Sequence, residues 1–337
     1  LDFLDGLYGE LLPNFSSRKF NIGGDEPWEL GEGASRQRVE SEGKHKVYAG
    51  FLAQICQLAE AHGAEPMCWA DVLLEEPSTI VQLPESIRPV IWGYEADHPF
   101  KVQCAKLAEL GRDFYVAPGD STWNSYTGRF PTMLGNVRSA AQAGHASGAS
   151  GLLMTHWGDG GHPQVWPVSL PGMVWAGLCS WNVNAEENRI EGAIRSLLGD
   201  QNGNFTRILL ESGRLDEILG VELTNWSYFA KFNQMGDALY VRPDEAAIQQ
   251  AIQVCEEGLR ALSQSQLDAH DAVYLVNELE LMLRLNLRAA RCSLGHTDAG
   301  SSLLNDLYQH SWKYRSRVGG LVDSLKKQQL IELTHDE

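Results

Sequence analysis

The stretch Lys19-Phe20-Asn21-Ile22-Gly23-Gly24-Asp25-Glu26-Pro27 decides how this chain is read. A short extended run, Lys19 to Ile22, breaks at two glycines and is followed at once by two adjacent carboxylates. A strand whose C-terminal tip presents acids is what barrel enzymes use, because the loops after their strands converge on one cleft. The plain alternative is a strand leading into a helix, with Asp25 as an acidic cap.

Working outward, four more short apolar runs read as buried strands: Met67–Ala70, Val90–Gly93, Phe114–Ala117 and Gly151–His156. Helical spacing fills the gaps. Val47, Phe51, Leu52, Ile55, Leu58 and Ala59 form one stripe, Val102 to Leu110 a second, Val137 to Ala143 a third, and Leu170 to Cys179 a fourth. Such alternation predicts an α/β fold with a parallel sheet and crossover helices. A doubly wound sheet fits the alternation equally well. The placing of acids and tryptophans at or just after all five strand tips favours one ring of loops, hence a (β/α)8 TIM barrel. Only five of its eight strands are read here, so the first three are expected to precede Leu1. From about residue 186 strand patterns vanish. Ala246–Leu262, a long helix through Val273–Leu283, and Leu303–Ser324 predict an all-α remainder. The expected division is therefore a partial catalytic barrel, strands four to eight, over 1–185, and a helical C-terminal domain over 186–337. The polar tail from Lys326 is expected to fray.

Composition narrows the class of function. The 337 residues carry a net charge of −17, which repels nucleic acid and anionic membranes and suits a neutral substrate. No apolar run reaches the ~20 residues of a membrane span, and no basic, apolar signal segment opens the chain. The six cysteines are scattered without a CxxC pair, which reads as buried free thiols in a reducing compartment and points to the cytoplasm. His156 and His162 lack the spacing of a metal motif, and no phosphate loop is present, so neither a metal nor another cofactor is expected.

The tips themselves read Cys68-Trp69-Ala70-Asp71, Ile91-Trp92-Gly93-Tyr94-Glu95, Asp120-Ser121-Thr122-Trp123-Asn124-Ser125-Tyr126 and Thr155-His156-Trp157-Gly158-Asp159. Sugars present C–H faces that stack on aromatic rings, and hydroxyls that carboxylates and amides hold. Any single tryptophan is more simply a core residue. Four of them at equivalent tips point to a saccharide pocket.

Gly23-Gly24-Asp25-Glu26 followed by this tryptophan series resembles glycoside hydrolase family 20, the β-N-acetylhexosaminidases, over roughly residues 1–185. The resemblance implies cleavage of terminal β-linked N-acetylglucosamine or N-acetylgalactosamine with retention, the substrate's own acetamido oxygen being the nucleophile. It implies that Glu26 is the general acid and base and that Asp25 orients the acetamido group. Trp69, Trp92 and Trp157 match pocket walls, Asp159 the acid on the far hydroxyls, and Trp123 and Asn124 lie in what matches the family's loop after strand seven. Tyr94 and Tyr126 are both candidates for the hydroxyl on the acetamido oxygen. The expected partner is an N-acetylhexosamine-containing glycan or glycoconjugate, with no nucleic acid and no membrane span. The rival readings are a sugar-binding relative without turnover, and an inactive fragment whose helical half is a homo-oligomer interface.

Overall fold

The computed structural model describes residues 1–296, 301–316 and 319–331. The chain forms two compact units that interleave in sequence. The first comprises Leu1–Gly93, Pro99–Pro118 and Ser139–Leu153; the second comprises Tyr94–His98, Gly119–Arg138 and Met154–Glu337.

The first unit is built on a curled, five-stranded parallel sheet: β1 (Lys19–Asn21), β2 (Glu65–Trp69), β3 (Arg88–Trp92), β4 (Tyr115–Ala117) and β5 (Gly151–Leu152). All five runs read as strands in the sequence contain a strand, although of Gly151–His156 only Gly151–Leu152 is one. Spatial order follows chain order, β1-β2-β3-β4-β5, and every pair is parallel. A doubly wound sheet reverses its order at a switch point, and this one does not. The register slides along the sheet: β2 meets β1 at Glu65 but β3 only from Met67, and β3 in turn meets β4 only from Val90. A stagger of this kind tilts strands and curls a sheet.

Alternation along the strands sorts side chains onto two faces. Cys68, Ile91 and Val116 pack with Leu52 and Cys56 of the helix Lys44–Ala61 and with Phe100, Cys104 and Leu107 of the helix Phe100–Glu109. Burying each such large side chain contributes about 1.5–3 kcal/mol. Met67, Val90 and Ala117 lie together in a separate cluster, with Trp69, Trp92 and Tyr115 packed against them. At the strands' N-terminal end the charges compensate one another. Arg88 bridges Asp113 at 2.8 Å and Glu65 at 3.5 Å, and Lys19 donates to the Tyr115 hydroxyl.

The second unit is helical apart from isolated bridges. The periodicities at 246–262 and 273–283 become the helices Glu245–Leu262 and Ala272–Ser293. The latter buries Glu278, whose carboxylate takes two hydrogen bonds from Arg315 at 2.8 and 3.0 Å. Burial raises the Glu278 pKa and Arg315 opposes that rise. One expected element is corrected. Leu303–Ser324 is not a single helix but part of two, Ser301–Arg315 and Leu321–Lys327. The first ends at Arg315, and Gly320, at a left-handed φ of +87°, stands immediately before the second. Of the tail expected to fray, Lys326 and Lys327 close the second of these helices, and residues 332–337 lie outside the described residues. All six cysteines are free and five are buried. Among the described residues no helix is long and apolar enough to cross a membrane.

Candidate active site

The tip of β1 is held by its neighbours rather than by ladder pairing alone. Ile22 N–H reaches Met67 O at 2.8 Å and Trp69 N–H reaches Gly23 O at 3.0 Å. The Asn21 side chain accepts from Gly23 N–H at 2.8 Å. Gly24 stands at φ +97°, and its carbonyl accepts from the Tyr48 hydroxyl at 2.7 Å. A Cβ at position 24 would lie 2.8 Å from that hydroxyl, so both the backbone angle and the space require glycine. Burial first, and then the neighbouring Asp71 and Asp25 carboxylates, push the Tyr48 phenol well above its usual range, so it stays a donor.

Asp71 opens the short helix Asp71–Glu75 after β2. One carboxylate oxygen accepts from Glu26 N–H at 3.0 Å, and the other from Trp92 Nε1–H at 3.3 Å. A single carboxylate thus ties the acidic tip of β1 to the aromatic tip of β3. Asp25 and Glu26 themselves are exposed, Trp69 and Trp92 half-buried. Trp28, two residues on from Glu26, is 76% exposed. Glu26 sits at φ +46°, left-handed for a residue that rarely goes there.

In the second unit, Tyr94 accepts from Trp157 Nε1–H at 2.9 Å and meets the Trp123 ring edge-on. Trp123, Asn124 and Tyr126, three of the residues read as sugar contacts, are nearly sealed, at 2%, 3% and 1% exposure. Trp123 Nε1–H donates to the Asn225 side chain at 2.7 Å, Asn124 to the Asn225 carbonyl at 3.2 Å, and the Tyr126 hydroxyl to Gln328 at 3.1 Å. Burial keeps the Tyr126 phenol protonated. Asp159 is exposed, in a turn over Asp159–Gly161, and Trp157 half-buried. Further polar pairs lie in these loops. Glu95 takes both terminal nitrogens of Arg129 at 2.9 Å each, and buried Asp120 accepts from His156 Nδ1 at 2.7 Å.

Asp71, Glu95 and Asp120 were visible as acids at strand tips, but their work was not. Each is defined by a partner 21 to 36 residues away. The backbone carries another signal that composition does not. Glu26, Ser121, Asn124 and His162, in the tip loops, have positive φ, as do Asn225 and Gln329 elsewhere. Left-handed non-glycine residues cost on the order of 1–3 kcal/mol each and persist where surroundings hold them, often at functional sites. Among the described residues no cluster of three or more His, Cys, Asp or Glu side chains forms a metal centre.

No family model matches the chain, and no curated protein does. Among solved structures the chain aligns with a GH138 enzyme targeting pectin rhamnogalacturonan II, at 12% identity and a TM-score of 0.47. The alignment covers 97% of this chain and 46% of that one, so the chain spans less than half the length of that enzyme. The resemblance to glycoside hydrolase family 20 is corrected by these findings: no family model matches, and the aligned structure belongs to a different glycoside hydrolase family. A four-residue motif followed by tryptophans is too short to carry membership, and one of those tryptophans, Trp123, is a core residue.

Proposed function

We propose that this chain is carbohydrate-active and of the glycosidase type, with Asp25 and Glu26 as its working carboxylates. The observation that carries the reading is the Asp71 bridge, which holds the exposed acid pair and the Trp92 indole through one carboxylate. Glycosidases need two carboxyl groups beside a bound sugar, one to protonate the leaving oxygen and one to attack or to activate water. Asp71 already accepts two hydrogen bonds, so it serves as the holder. Asp25 and Glu26, both exposed at the tip of β1, are the carboxylates proposed for the chemistry, with Trp69 and Trp92 offering ring faces. For the second unit, taken by itself, Tyr94, Trp157 and Asp159 are proposed as sugar contacts. Trp123, Asn124 and Tyr126 support the loops from inside. The uninterrupted strand order further supports reading the sheet as five strands of a (β/α)8-type barrel.

The test is a panel of 4-nitrophenyl hexosides and N-acetylhexosaminides, both anomers, incubated with the 337-residue chain. Turnover of at least one is expected, falling about a hundredfold or more in Glu26→Gln and Asp25→Asn. The N-acetylhexosaminide arm decides the finer reading. Strict dependence on the acetamido group would make that group the nucleophile, and equal rates on plain hexosides would exclude it. Saturable quenching of tryptophan fluorescence by sugars without turnover would favour a binding protein. The absence of both turnover and quenching would defeat the proposal.

A further inference from the structure

A cavity of about 300 Å³ opens within the second unit, bordered by His156, Gln164, Trp166, Tyr308, Trp312 and Arg315. That volume is at the lower end of small-molecule pockets, ~300–1,000 Å³, and suits a single ring better than a polymer segment.

The lining selects the chemistry of an occupant. The Arg315 guanidinium is already held by Glu278 and by Asp271, the latter at 2.8 Å. His156 is held through Nδ1 by Asp120, with the Thr122 and Ser169 hydroxyls within 3.2 Å. His162, also on the wall, has its pKa lowered by burial and by the neighbouring His156 ring, which leaves it neutral near pH 7. The charged groups on the wall are therefore compensated, and no strong claim on an anion or a cation is left.

What the wall does offer is neutral. Gln164 is 3% exposed, and its amide nitrogen donates to Trp157 O at 2.5 Å, which fixes the orientation of the group. Its buried Oε1 has no hydrogen-bond partner among the described residues. A buried acceptor without a donor is unfavourable, and a ligand hydroxyl would satisfy it. Trp166 is 45% exposed, and Tyr308 and Trp312 stack with ring centroids 6.2 Å apart. Such rings accept the C–H face of a saturated polyol.

We infer that this cavity is a second binding site, taking one neutral polyhydroxylated molecule the size of a single sugar ring. Gln164 Oε1 accepts from one of its hydroxyls, and Trp166 and Trp312 cover its C–H faces. The site uses none of the carboxylates at the tips of β1 and β2 and does not rest on the glycosidase reading.

The test is a titration of the full chain, with its tryptophan indoles ¹⁵N-labelled, followed by NMR. The probes are methyl β-D-glucopyranoside, methyl β-D-galactopyranoside, myo-inositol and, separately, inorganic phosphate. At least one neutral probe is expected to shift the Trp166 and Trp312 Nε1–H signals together and saturably, with a Kd of about 1 mM, and phosphate is expected to leave both in place. Trp166→Ala, at a half-exposed position, should weaken that probe about tenfold as read on the Trp312 signal. Gln164→Met, close in volume but without the acceptor, should weaken it similarly. The inference fails if no neutral probe moves these two signals, if phosphate moves them instead, or if both variants bind as the wild type does.

Discussion

At the scale of the residue, the acidic tip of β1 is a set of backbone angles held open by side chains. Gly24 is the clearest case, since its φ of +97° and the Tyr48 hydroxyl each exclude a Cβ. Gly24→Ala should therefore lower stability by about 1–3 kcal/mol, measured by urea denaturation. Adding Tyr48→Phe should recover part of that loss by removing the clashing oxygen. If the single variant is as stable as the wild type, the tip is not held as described. Asp71 gives a second prediction. Its two oxygens accept from two different N–H groups, whereas asparagine has one acceptor and would turn an amino group towards the other donor. Asp71→Asn should cost about 1 kcal/mol of stability. On the substrate that the panel identifies, it should lower kcat by about a hundredfold through misplacement of the acid pair. An unchanged kcat would remove Asp71 from the proposed site.

Elements show what a sequence can disclose and what it cannot. The five strands and the longer helices between them were legible because apolar runs and helical stripes are local signals, recorded within about ten or twenty residues. The short helices Arg36–Glu42 and Asp71–Glu75 were not read. The break between Arg315 and Leu321 was passed over because an apolar stripe continued on both sides of it. Trp123 and Trp92 looked alike, each a tryptophan at or just after a strand tip. Their fates diverge through partners far away in the chain: Asn225 seals Trp123 into the core, while Asp71 only anchors the indole of a half-exposed Trp92. No local pattern separates those outcomes. A helix pair gives the pH prediction. Asp216, in the first turn of Leu215–Leu219, accepts from the N–H of Tyr228, the first residue of Tyr228–Met235, at 2.9 Å. Burial pushes its pKa up to about 6, against the hydrogen bond and Arg129, which pull the other way. A raised acid favours the protonated native state. Its contribution is whole below the unfolded value and is lost as pH rises through about 6. Asparagine mimics the protonated form, so the Tm of Asp216→Asn minus that of the wild type should grow between about pH 4 and pH 7. A gap that stays constant across that range would show that Asp216 titrates as an exposed acid.

For the whole molecule, the notable fact is how the two units share one chain. The segment Gly119–Arg138 belongs to the second unit, and residues far downstream hold it there. Thr127 donates to Ser212 O at 2.7 Å, Asn286 donates to Thr127 at 3.0 Å, and Asn225 and Gln328 receive Trp123 and Tyr126. Residues 1–185 expressed alone should therefore leave large apolar side chains such as Trp123 and Tyr126 uncovered, and should bind a hydrophobic dye and aggregate. A monodisperse 1–185 fragment with native-like near-UV circular dichroism would show that the downstream helices are dispensable.

The hydrogen bond from Tyr126 to Gln328 closes a loop of 202 residues. On a ribosome this becomes a matter of time. Every residue of the strand-bearing unit has been made by Leu153, while Gln328 is still 175 residues from synthesis. At about 5–20 residues per second, that is a wait of roughly 10–35 s. Tyr126 lies outside its final packing throughout that wait, and Trp123 until Asn225 is made 72 residues after Leu153, both within reach of a chaperone. Slowing translation lengthens that exposure, so the yield of native protein should depend on the codons that follow residue 153.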